Sequence, residues 1–79
     1  MNDPKFHQFT SIIQSDGDWY VALCPELDIA SQGRTIEEAR LNLVEAIELF
    51  LEVASSTEIK ERLHSEVFIS PIQVEAHLA

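Results

Sequence analysis

The side chains able to do chemistry are mostly carboxylates. Asp16 and Asp18 bracket Gly17, Asp28 stands in a connection, and Glu37, Glu45, Glu48 and Glu52 recur along one apolar-periodic segment. General acid–base or two-metal chemistry needs carboxylates that converge on one point, and none of these spacings predicts such a pair. The single cysteine, Cys24, closes an apolar run with no base beside it, so it reads as a buried small side chain and not as a nucleophile. His7, His64 and His77 are far apart and lack the short spacings of metal ligands. The two glycines, Gly17 and Gly33, are too distant to form a phosphate-binding loop. These residues predict no catalytic group, no cofactor and no metal.

Charge and length narrow the remaining functions. With 14 acidic and 5 basic side chains the chain carries −9. Phosphate contacts need clustered Lys and Arg, so direct binding of nucleic acid is not expected. A basic protein is the complementary partner. No apolar run approaches the roughly 20 residues that span a bilayer. The Met-Asn-Asp-Pro-Lys-Phe start lacks the apolar centre of a signal peptide, which predicts a cytoplasmic protein. The 79 residues predict one domain, 1–79, with a loose tail over 1–5. So small a core gains from staples or association. One cysteine excludes a disulfide within the chain, leaving self-association, as a dimer or larger, as the expected support.

The elements that must position these residues follow from local pattern. Phe6 to Gln14 is strand-prone. Asp16-Gly17, before the apolar run Trp19 to Cys24, is a hairpin signal. The run predicts a central strand buried on both faces, with Trp19, Val21 and Leu23 on one and Tyr20, Ala22 and Cys24 on the other, ended by Pro25. Ile29 to Gln32 predicts a third strand. Gly33 then permits a turn, and Thr35 with Glu38 has the spacing of a capping box, with Glu37 and Glu38 at the positive end of the helix dipole. The helix from there to about Ser55 carries Ile36, Ala39, Leu43, Ala46, Ile47, Phe50 and Ala54 on one stripe, widened by Val44, Leu51 and Val53. Ser55 and Glu58 predict a short second helix to Leu63. Glu66 to Val74 is strand-like, with Pro71 restricting it to an edge or a bulge. The expectation is an α+β domain, β-β-β-α-(α)-β, in which an antiparallel sheet of three or four strands packs on one main helix.

Two surfaces remain. The apolar stripe is wider than one small sheet requires, and the strands carry apolar residues on both faces, so a lone domain would expose an interface-like patch. Glu37, Glu45, Glu48 and Glu52 make the opposite helix face acidic. Such a run is ordinarily a solvated face, and docking to a basic protein is the alternative.

Four features in order resemble the HicB antitoxin family of toxin–antitoxin systems. They are Asp16-Gly17-Asp18-Trp19-Tyr20-Val21-Ala22, then Cys24-Pro25-Glu26-Leu27, then Ser31-Gln32-Gly33-Arg34-Thr35-Ile36-Glu37-Glu38-Ala39, and a helix bearing Asn42, Glu45 and Ala46. The resemblance runs from about Phe9 to Glu52. Arg34 stands where the family commonly has an acidic residue. The resemblance implies a partial ribonuclease-H-like domain without catalytic carboxylates, whose partner is a small basic HicA-like toxin that cleaves mRNA. Within its motifs Gly17, Trp19, Pro25, Gly33, Thr35, Glu38 and Ala39 have structural roles. Many members continue into a DNA-binding domain, which this sequence is expected to lack. The alternative is a standalone oligomeric HicB-like binding module with no toxin partner.

Overall fold

The structure is a computed structural model that describes residues 7–63 and 66–78; the loose tail expected over 1–5 and His64 lie outside the described residues. Strands β1 (Ile12–Asp16), β2 (Trp19–Cys24) and β3 (Ile29–Gly33) are followed by helices α1 (Ile36–Val53) and α2 (Ser56–Leu63). The sheet is antiparallel in the order β1-β2-β3. This is the α+β architecture expected from the sequence, with the three strands, the main helix and the short second helix in the expected order.

The hairpin forms one residue later than the Asp16-Gly17 reading. Asp16 pairs with Trp19, leaving Gly17 and Asp18 as the two-residue loop. Gly17 alone has positive φ there, at 63°, as in a type II′ turn, where glycine takes the first central position. β1 also begins at Ile12, later than expected: residues 7–11 have no regular secondary structure, and Phe6 lies outside the described residues. One reason is β2's end at Pro25, which has no N–H for a ladder.

α1 lies chiefly against β3, then β2, and only marginally against β1. The core is correspondingly small: Ala22, Cys24 and Leu27 meet Ala39, Leu43 and Ile47, surrounded by half-buried Phe9, Ile13, Tyr20, Ile29, Phe50 and Leu51. β2 is therefore buried on one face and not on both as its apolar run predicts, because α1 covers only one side of the sheet. Val21 and Leu23 are half-covered on the other, while Trp19 is exposed with the Arg34 guanidinium 4.5 Å from its ring centroid, a cation–π distance.

α1 starts as its caps dictate, with one change. The Thr35 hydroxyl accepts from the Glu38 N–H at 3.0 Å, but the Glu38 carboxylate accepts from Arg34 N–H at 3.1 Å, one residue before the expected Thr35 N–H. The helix ends at Val53, two residues short of Ser55, because Ser55 Oγ accepts from the Glu58 N–H at 3.1 Å and caps α2. No residue of α2 is buried. Arg62 holds it: the guanidinium donates to the Leu27 carbonyl and sits 4.8 Å from the Phe50 ring centroid.

The predicted fourth strand, Glu66–Val74, is not formed. Residues 66–78 have no regular secondary structure and are exposed throughout. Strand propensity alone does not make a strand; a ladder partner is required, and among the described residues no strand pairs with this segment. No helix among the described residues is long and apolar enough to cross a membrane.

Candidate partner-binding face

The four glutamates singled out in the sequence fall on the outer side of α1. At about 100° per residue, Glu37, Glu45, Glu48 and Glu52 occupy an arc of about 80°, with Leu41 at its middle. All five side chains are exposed, Leu41 at 51%. The opposite arc is the one that Ala39, Leu43 and Ile47 bury against the sheet. Burial of that stripe is what fixes the acidic arc outward.

The electrostatics of the arc are uneven. Glu37 pairs with the Arg40 guanidinium one turn on. Among the described residues Glu45, Glu48 and Glu52 have no ion-pair partner. They stand at i, i+3 and i+7, so each neighbouring pair repels by about 0.2–0.5 kcal/mol. The last turn of α1 carries no basic residue, so Glu52 also faces the negative end of the helix dipole. Of the three, Glu52 stands where an isolated helix would favour a base.

The motif residues serve architecture. Gly17 makes the turn, Pro25 ends β2, Thr35 and Glu38 cap α1, and Ala39 is fully buried. Trp19 lies on the open face of the sheet. Gly33 is required for a reason the sequence did not display. Its φ is not positive; instead a Cβ there would come within 2.5 Å of the Ala39 backbone nitrogen and 2.8 Å of the Glu38 carbonyl carbon. β3 and the first turn of α1 meet backbone to backbone.

A polar cluster missed in the sequence sits behind β2. The Glu26 carboxylate accepts from the Thr10 N–H at 3.0 and 3.1 Å and from its hydroxyl at 2.7 Å, and from the Cys24 thiol at 3.5 Å. The carboxylate continues the β1–β2 connection past Pro25. Desolvation pushes the Glu26 carboxyl up, but the bonds from Thr10 outweigh it and hold its pKa below the ordinary carboxylate range. Burial pushes the Cys24 thiol up, a backbone contact at Leu27 opposes this, and Glu26 reinforces the rise. A thiol so placed is protonated at neutral pH, the reverse of what a nucleophile needs. Asp16 and Asp18 share the β1–β2 hairpin, and Asp28 lies apart from them in the β2–β3 connection. Among the described residues no three His, Cys, Asp or Glu side chains form a metal-binding group.

The Glu26 cluster carries a pH dependence. A lowered folded pKa contributes stability above the ordinary carboxylate range, and that stability is lost as pH falls through the folded value. Thr10→Val is expected to lower the urea midpoint at neutral pH and to shrink its fall between neutral pH and about pH 3. An unchanged acid profile would show that the carboxylate does not hold the strand end.

Compared with known proteins, the chain matches no protein-family model, and no curated protein or solved structure is significantly similar to it.

Proposed function

We propose that this chain is an antitoxin-like binding protein of the cytoplasm that neutralises a small, basic, mRNA-cleaving toxin by covering it. The observation that carries the reading is the exposed arc of Glu45, Glu48 and Glu52 around Leu41, three uncompensated charges held outward by the burial of the opposite stripe. A cationic surface relieves their repulsion as it docks, and complementary charge raises the association rate and rejects wrong partners. The order of the four HicB-like motifs supports the class of partner. Their residues form the hairpin, the β2–β3 connection and the β3–α1 junction. Covering a toxin's RNA-binding surface requires no chemistry from the inhibitor, only a shaped and charged face.

Self-association accompanies this reading. Ile12 and Trp19 on the open sheet face, and Phe68, Ile72 and Val74 beyond α2, are exposed large apolar side chains of the kind that mark interfaces.

The test is capture from the native cytoplasm with the tagged full chain. The expected catch is a small basic protein that cleaves mRNA when purified alone. Recovery of this chain with no basic partner would overturn the antitoxin reading and favour the standalone module.

A further inference from the structure

From Pro71 onward the segment 66–78 has the alternation of a half-buried strand without the sheet to bury it. In strand register Phe68, Ile72, Val74, Ala76 and Leu78 share one face with Glu66 and Ser70, while Pro71, Gln73, Glu75 and His77 share the other with Val67 and Ile69. The apolar face is open: Phe68 and Ile72 are each 84% exposed and Leu78 is 92% exposed. The chain is also stretched. Its radius of gyration is 15.7 Å, against about 12 Å for a compact chain of this length. Thirteen such residues reach about 40 Å as a strand.

The body offers a matching vacancy. Because α1 sits over β3 and β2, it leaves a groove of about 630 Å³ between α1 and residues 7–11, the segment that leads into β1, with Phe9, Leu43, Val44, Ile47 and Leu51 as its apolar wall and Thr10, Arg40 and Glu48 among its polar lining. β1 is an edge strand with no proline or lysine to discourage pairing. On β3, the other edge strand, one carbonyl is taken by a side chain, Asn42 Nδ2 donating to the Gln32 carbonyl at 2.8 Å. Residues of one parity direct their backbone groups to one side of a strand. The missing N–H of Pro71 therefore leaves the even-numbered residues to make the ladder and the odd-numbered side facing water, as suits a new edge strand.

We infer that two copies of this chain exchange segments 66–78, each adding a strand to the β1 edge of the other and laying Phe68, Ile72 and Val74 into the groove beside α1. The interface is then isologous: two arms, two grooves, one two-fold axis. Main-chain bonds supply affinity and the alternate apolar side chains fix register, as in other strand additions. The inference rests on the self-association proposed above and names the element responsible for it.

The test uses full-length chains in sedimentation at micromolar concentration. Wild type is expected to be a dimer. Phe68→Asp/Ile72→Asp, which changes only exposed side chains, is expected to weaken dimerisation at least tenfold with the far-ultraviolet signal of the body retained. Val44→Asp, in the groove wall, is expected to do the same. Mixing the two variants restores one arm–groove pair, and a 1:1 complex is expected that neither forms alone. A dimer unaffected by the arm variant would overturn the exchange while leaving self-association standing. A wild-type monomer would overturn both. Hydrogen-exchange protection of 66–78 that survives dilution to monomer would show the arm pairing at home and likewise overturn the exchange.

Discussion

Gly33→Ala is expected to destabilise the domain by about 3 kcal/mol, a large part of what so small a core provides. The added Cβ meets backbone atoms of Ala39 and Glu38 inside any normal contact distance, and neither can swing aside as a side chain would. β3 and the first turn of α1 must separate, opening the contact of Ala39 with the core. Gly17 is the control, because nothing lies within 4 Å of a Cβ there and the cost is its φ of 63°. Gly17→Asn is expected to cost less than either Gly33 change, since its strain is confined to the backbone of an exposed two-residue turn with no neighbour to displace. Gly33→Asn is expected to be as damaging as alanine or worse. Urea midpoints measure both. A Gly33→Ala midpoint equal to wild type would show that strand and helix do not meet this closely.

The second large effect separates folding from function. Glu45→Lys/Glu52→Lys alternates the charges along the outer arc of α1 and moves the net charge from −9 to −5, two units per substitution. Two repulsive pairs become attractive, Glu48 then standing four residues before a lysine, the better orientation. The last turn also gains a base. The domain is expected to gain about 1 kcal/mol, a few degrees in melting temperature. Affinity for a basic partner is expected to fall at least tenfold, mainly through the association rate and most steeply at low salt. A variant that is more stable and still binds as wild type would reduce the acidic arc to a solvated face.

Much of this architecture was legible because it is local. Asp16-Gly17-Asp18 lies between apolar runs, and Thr35 with Glu38 and Ser55 with Glu58 have cap spacing, so the hairpin and both helix starts follow from neighbours within four residues. The stripe through Ala39, Leu43 and Ile47 announces its buried face by periodicity. What was hidden is non-local. Thr10 and Glu26 are 16 residues apart, and nothing in either name says that the carboxylate completes a strand pair interrupted by Pro25. Gly33 looked like a turn residue, whereas its role depends on where Ala39 arrives. Glu66 to Val74 has a strand's composition, but a strand exists only with a partner, and composition does not say whose edge supplies it. The acidic residues of the candidate face were legible as a group, and that Glu37 is paired with Arg40 while Glu45, Glu48 and Glu52 are not required the side-chain placements.

The function proposed for this chain is to hold a basic RNA-cleaving protein in check. The most direct measurement is a titration of the purified full chain into an mRNA-cleavage reaction run by its captured basic partner. Cleavage is expected to stop at a fixed stoichiometric ratio for wild type and to persist at that ratio with Glu45→Lys/Glu52→Lys. Cleavage that continues undiminished in the presence of excess wild-type chain would contradict the account.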